Sequence, residues 1–451
     1  MVDLLDLKTS FLGAVLEPGD VAFDEARKIH NGLIDRRPAV IARCRGVADI
    51  VDAVHYARAA GLEISVRGGG HNVGGRAVVE GGMMIDLSLM KGVHVNPSNR
   101  TALVEGGVLW KEFNREAQIH GLATTGGVIG TTGVAGLTLG GGLGWLMAKY
   151  GMALDNLLSV NLVLADGSVA RASSEENPDL FWAVRGGGGN FGIAASFEFK
   201  LHHVGPIVFG GLAAFPFDQA RQVLQGFRGI AGDAPDDLMT VCGLTTAPDG
   251  SGTKIAAILV CHTGSSAAAE ETAARIRSFG TVVIDAMGPI PYTALNGMLD
   301  AGFPSGAFNY WKSTFVPTLS DRVIDAAVSA YERCPVPTSS ILMESFHGQA
   351  TRVPVDATAF ALRQTGFNTL VLGQWMDKTH ADATTDWCRA SFDALHSFAG
   401  ERRYANYLGS DEEAASAALA AYGPNLPRLR QIKTQYDPEN LFHQNLNILP
   451  G

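Results

Sequence analysis

Basic charge is in short supply. The chain sets 35 Lys and Arg against 45 Asp and Glu, a formal net charge of −10, so it holds no surplus with which to displace counterions from a phosphate backbone, and nucleic acid is not expected as a partner. Cysteine is scarce too. Cys44, Cys242, Cys261, Cys334 and Cys388 are scattered, odd in number and without the CxxC or Cys/His spacing of a zinc site, so they read as buried thiols and no metal is expected. Long apolar runs are missing: no window approaches the ~18 uninterrupted apolar residues that a membrane-spanning helix takes. The opening MVDLLDLKTSFLGAVLEPGD carries acid where an export signal carries positive charge, and Lys8 and Gly13 interrupt its apolar stretch. A cytoplasmic protein is the expectation. Internal repeats and low-complexity linkers are absent as well, and nothing in the sequence sets an oligomeric state.

What is present is apolar material in quantity. Hydrophobic residues make up 46% of 451 and charged residues only 18%, which describes a folded chain too long for one ordinary core. Through about residue 200, short strands alternate with helices. PAVIAR (38 to 43) and EISVR (63 to 67) flank a helical stripe of Val47, Ile50, Val51 and Val54 that ends at Gly61, while LLSVNLVLADGSVARAS forms a hairpin through Asp166-Gly167. The hairpins make the class α+β rather than a purely parallel doubly wound sheet. After about Leu201, long apolar strands separated by Ala-rich helices predict a second, largely antiparallel domain. Around Arg403 the texture changes again, to a helix from Glu412 to Tyr422 and a run of turn signals, YDPENLFHQNLNILP.

Glycine is abundant, 54 residues against an average of ~7%, and concentrates between Arg67 and Gly192. In the first cluster, Arg67-Gly68-Gly69-Gly70-His71-Asn72, successive backbone N–H groups can converge on an anion such as a pyrophosphate, although a plain tight turn would use three glycines equally well. His71 has two readings also: a hydrogen-bonded turn histidine, or a neutral imidazole able to bond to an electrophilic cofactor methyl group. The second cluster runs from Thr124-Thr125-Gly126-Gly127 to Gly140-Gly141-Gly142-Leu143-Gly144 and brings backbone and the hydroxyls of Thr131 and Thr132 close to a bulky ligand. A helix over LGWLMAKYG is expected to aim its N-terminal amides there. The third cluster, Gly187 to Gly192, fits GxGxxG, but it follows the helical PDLFWAVRG and opens the strand IAASFEFKL. That order is the reverse of a dinucleotide-binding turn, so a Rossmann reading is set aside.

Taken together these residues resemble the berberine bridge enzyme-like FAD-linked oxidases of the vanillyl-alcohol oxidase superfamily. Six segments carry the resemblance in the family's order: SVRGGGHN (65 to 72), GGMMIDLSLM (81 to 90), GLTLGGGLGWLMAKYGMALDNL (136 to 157), LFWAVRGGGGNFGI (180 to 193), YANY (404 to 407) and YDPENLFHQNLNI (436 to 448). It implies a PCMH-type FAD-binding domain of two subdomains over 1–203, an antiparallel-sheet substrate domain flanked by helices over 204–403, and a C-terminal segment, 404–451, returning to the FAD domain. The implied cofactor is FAD, bonded through its 8α-methyl carbon to His71. Around it the resemblance puts Arg67, Gly68, Gly69, Gly70, Asn72, Asp86, Gly126, Thr131, Thr132, Gly136, Gly140, Gly141, Gly142, Gly192, Ile193, Asn445 and Asn447. Ile129 stands where many relatives have a second, cysteinyl tether, so a single covalent bond is expected, as in the nicotine-oxidising bacterial members.

The same resemblance assigns Tyr404, Asn406 and Tyr407 to the flavin–substrate interface, where the phenols could deprotonate a substrate or simply pack. Gln374 falls on the strand that supplies the family's base or its supporting amide. By strand alternation Tyr310 and Lys312 share one face, and Glu344 and Phe346 oppose Met343 and His347. Glu344, His347 and Lys312 are therefore candidate acids or bases, with parity silent on which face meets the flavin. Thr132 sits where a small residue accompanies oxidase behaviour, and Leu143, in place of the tyrosine of sugar-oxidising relatives, weakens a sugar reading. The expected activity is oxidation of a small alcohol, amine or phenolic compound by hydride transfer to flavin N5, with dioxygen as acceptor and hydrogen peroxide as product. The alternatives are a dehydrogenase with another acceptor, an oxygenase using a flavin-N5-oxide, and a non-enzymatic flavin-binding protein.

Overall fold

The structure is a computed structural model that describes residues 4–451; the first three residues of the acidic start that entered the localisation expectation lie outside it. Two sheets form the first part. In the smaller, Val40–Arg43 and Ile64–Arg67 both run parallel to Met83–Asp86, and Ala14–Leu16 adds an antiparallel edge. The helix Val47–Ala60 lays Ile50, Ala53, Val54 and Ala57 against it and stops, as its sequence predicts, where Gly61 turns left-handed at φ 67°. The second sheet is antiparallel, in the order Val93–Asn96, Thr101–Glu105, Ile193–Lys200, Leu157–Val163, Val169–Ser173. Its last hairpin turns at Gly167, φ 83°.

An eight-stranded antiparallel sheet occupies the middle of the chain. Its central strands, Lys254–His262, Leu238–Thr246, Ser340–Phe346 and Gly366–Trp375, are neighbours in that order. Period-two alternation divides each between two environments. Cys242, Leu244, Ile341, Met343 and Val371 pack against the helices Ala220–Gly232, Asp321–Glu332 and Ala381–His396, whereas Val241, Leu342, Glu344, Leu370 and Leu372 face a cavity. The α+β architecture of two smaller sheets and a helix-backed antiparallel sheet is the one expected from the sequence.

Two local expectations require correction. Within LGWLMAKYG only Met147–Tyr150 is helical; Gly141 (φ 140°) and Gly142 (φ 92°) lead into the segment in non-helical conformations, and Gly144 is pressed against the backbone of Gly126, where a Cβ would lie 1.7 Å from its carbonyl oxygen. The helix within this glycine cluster is instead Val134–Leu139, just before Gly140. The helix expected from Glu412 begins at Ala414: Glu413 caps it, accepting from Ala415 N and Ser416 N, while Glu412 pairs with Arg403 and Lys312. Among the described residues no helix is long and apolar enough to cross a membrane.

The C-terminal tail returns to the third glycine cluster through a fully buried ion pair. Lys433 Nζ donates to Asp437 Oδ2 (2.6 Å), Asn190 O (2.7 Å) and Phe442 O (3.0 Å), and Asp437 also accepts from Leu441 N and Phe442 N. Asn190 continues the seam, donating to Leu446 O and accepting from Ile448 N. Replacing Lys433 by Met leaves the Asp437 carboxylate buried without its cation, a loss of about 3–5 kcal/mol. A urea titration checks it, with an unchanged midpoint counting against this role.

Candidate active site

Three glycine clusters and one face of the large sheet enclose a cavity of about 890 Å³. On its floor lie Gly68, Gly69, Gly70, His71 and Asn72 from the first cluster, Thr132, Gly136 and Gly140 from the second, and Gly192 and Ile193 from the third, with Asn445 from the tail. Glu344, Gln374, Tyr404, Asn406 and Tyr407 also line it, so these sequence-derived catalytic candidates share one space with Thr132. Lys312 and His347 do not. Lys312 bonds Asp411 and Glu412, each at 3.0 Å, and His347 Nε2 lies 3.0 Å from Leu238 O.

Glu344 is buried on a strand face it shares with Ser340, Leu342 and Phe346. Asn368 Nδ2 donates to its Oε2 at 2.5 Å and Tyr407 Oη to its Oε1 at 3.1 Å. Burial pushes its carboxyl up to about 7 despite the opposing pull of those two donors. The Tyr404 hydroxyl accepts from Asn406 Nδ2 (2.9 Å), Gly142 N (3.1 Å) and Leu143 N (3.4 Å). Even so, burial raises that phenol to about 12, and burial with the neighbouring Glu344 raises Tyr407 well above its usual value. Of the groups facing the cavity, Glu344 is therefore the one poised to take a proton near neutrality, and both tyrosines stay protonated. Gln374 donates through Nε2 to Gly302 O at 2.9 Å and leaves Oε1 buried without a partner.

His71 is driven the other way. Burial, helped by the adjacent His30, lowers its imidazole to about 3, so it is neutral at physiological pH. The two rings stack, centroids 3.9 Å apart and planes inclined by 16°.

The FAD binding domain family matches residues 38–173 and the berberine and berberine like family residues 403–449. (R)-6-hydroxynicotine oxidase of Paenarthrobacter nicotinovorans is 30% identical over 98% of this chain and 97% of its own length. The chain belongs to the berberine bridge enzyme-like FAD-linked oxidoreductases. Xylooligosaccharide oxidase of Thermothelomyces thermophilus is 29% identical over 93% of this chain and 89% of its own. In three dimensions this berberine bridge enzyme-like protein is similar to 6-hydroxy-D-nicotine oxidase from Arthrobacter nicotinovorans, with a TM-score of 0.88 at 30% identity over 98% and 99% of the two chains.

The residues fit FAD. The cradle is bare backbone brought to contact: a Cβ on Gly69 would lie 2.4 Å from Gly133 N, and one on Gly140 would lie 2.0 Å from Asn406 Oδ1. Nε2 of His71 and Oδ1 of Asn72 are buried without hydrogen-bond partners. Several residues assigned to the cofactor stand behind this wall instead. Arg67 is spent on Asp86, through Nε (2.8 Å) and Nη2 (2.6 Å), and on Lys28 O. Asp86 is wholly buried and takes Arg43 as well; burial alone would raise its carboxyl, but Arg67 holds it below the usual value. Gly126 gives way to Trp110, whose ring a Cβ would meet at 2.2 Å. Gly141 makes room for Tyr404 and Phe360, and Gly142 supplies the N–H that holds Tyr404. Thr131 and Asn447 keep a buried, unpartnered oxygen each, away from the wall.

His30 and Asn368 carried no motif signal. Asn368 becomes visible only through register, since it lies directly across from Glu344 on the neighbouring strand. Gly69→Ala forces two backbones apart, and this oxidoreductase should then be purified with a markedly lower ratio of flavin to protein absorbance. An unchanged ratio would show that the cradle is not needed.

Proposed function

We propose that the protein is an FAD-dependent oxidase with a single covalent flavin bond, through His71, acting on a small, mainly apolar molecule that bears one reactive O–H or N–H. The observation that carries this reading is the lone carboxylate of Glu344, poised near neutrality among apolar residues on the sheet that faces the glycine cradle. Bound FAD supplies the hydride acceptor. Glu344 takes the proton from the substrate, Tyr407 and Asn368 hold the carboxylate in place, and the unpartnered Gln374 Oε1 offers the substrate an acceptor. Asn406 and the Gly142 amide fix the Tyr404 phenol, leaving its proton free to donate.

A single tether is supported by Ile129 on the cavity wall and by the five cysteines, none of which lines it. The neutral state of His71 supports it as the nucleophile. Dioxygen as acceptor is supported by the small side chain at Thr132 and by the two relatives named as oxidases. The sheet face opposite the cradle, with Leu342, Leu370, Leu372 and Trp311 around Glu344, suits an apolar alcohol, amine or phenol better than a sugar.

Mixing with substrate under anaerobic conditions should bleach the flavin, and admission of air should restore the colour with release of hydrogen peroxide. Colour that returns only with an added artificial acceptor would mean a dehydrogenase. With Glu344 as base, kcat/KM should rise about tenfold per pH unit up to about pH 7 and then level. Glu344→Gln should lower kcat by about 10²–10⁴-fold. Tyr407→Phe removes a donor that favours the carboxylate, so its acid limb should move to higher pH; a limb that stays put assigns the proton to another group.

A further inference from the structure

The His71 ring has no hydrogen bond at Nε2 to set its plane, and the same holds for His30. Apart from a hydrogen bond to its own backbone, what holds it is contact. The imidazole of His30, 7% exposed, lies parallel to it at 3.9 Å. His30 is itself held from both sides: its N–H donates to Gly70 O (3.0 Å), the carbonyl just before His71, and its carbonyl accepts from Gly306 N (2.9 Å). The next residue, Asn31, donates to Val73 O and Asn309 O, each at 2.8 Å, and accepts from Asn309 N. The segment is thus laced to the His71 loop on one side and to the large sheet on the other, which fixes the backbone from which the His30 ring reaches His71.

We infer that His30 is the positioning residue of the flavin tether, holding the His71 imidazole by stacking in the orientation and dry surroundings that bond formation requires. This rests on the tether proposed above. In that step a His71 ring nitrogen bonds to the 8α-methyl carbon of FAD, a C–H and an N–H bond are lost as two protons, and the electron pair remains on the flavin, which is the oxidant. Dioxygen then takes the pair. The rate depends on how often the ring meets the methyl carbon correctly turned, and a stacked neighbour restricts that rotation at no cost in charge. A flat apolar ring serves the purpose equally well, which separates this role from proton transfer by His30.

The test is the time course of acid-stable flavin after FAD is added to full-length protein made in flavin-starved cells. Wild type, His30→Ala, His30→Gln, His30→Phe and His71→Ala are compared, with binding of FAD before acid confirming a folded site. His71→Ala should release all its flavin. His30→Ala, or His30→Gln should the alanine variant not fold, should acquire the bond about tenfold more slowly or worse, and His30→Phe should restore most of the rate. A wild-type rate in the ring-less variants overturns the inference, as does a phenylalanine variant no faster than they are. Release of flavin from the wild type overturns the tether itself and the inference with it.

Discussion

Exclusion of water moves the ionisable groups of the cavity in opposite directions, and the rest of the site is arranged around that. The same burial lowers His71 to about 3 and raises Glu344 to about 7 and Tyr404 to about 12. One low-dielectric space thereby contains a neutral imidazole, a carboxylate that changes state near neutrality and a phenol that keeps its proton. Each would be ordinary in water. The neighbours then tune the result: Asn368 and Tyr407 pull the carboxyl back toward ionisation, and a second imidazole beside His71 opposes a positive charge there.

Holding such a space dry is the work of the fold. The large sheet offers it the mainly apolar side of strands whose other side is filled by helices, so the one ionisable side chain lining it from that sheet, Glu344, stands out electrically. The opposite wall is rich in glycine, and at its closest approach Gly69 and Gly133 meet backbone to backbone. The buried Lys433–Asp437 pair draws the C-terminal segment onto the third cluster and so brings Asn445 to the wall. Breaking any of these would admit water and bring the three groups back toward ordinary behaviour.

Much of this was legible in the sequence, and the exceptions have physical causes. Glycine clusters announce close backbone approach wherever they occur, and the strand order around Gly187 to Gly192 correctly argued against a Rossmann turn. Alternation named Glu344, His347 and Lys312 as equals; only the three-dimensional register separates a carboxylate over the cavity from a lysine consumed by Glu412. Arg67 and Asp86 sit within a family segment and so read as cofactor contacts, whereas their charges neutralise each other behind the wall. His30 lies 41 positions before His71 in the chain, and no spacing rule links two rings stacked across a loop. The helix expected over LGWLMAKYG is shortened to Met147–Tyr150 because tertiary contact outweighed pattern: Gly144 serves close approach to the Gly126 backbone rather than helix continuation.

The central claim is that a desolvated His71 is the one point at which the flavin is bonded to the chain. Its most direct measurement is tandem mass spectrometry of the proteolysed yellow protein, following the peptide that spans Arg67 to Arg76. The account predicts FAD on that peptide, localised to His71, and on no other. An unmodified His71 peptide from fully yellow protein, or flavin attached at any other residue, would contradict it.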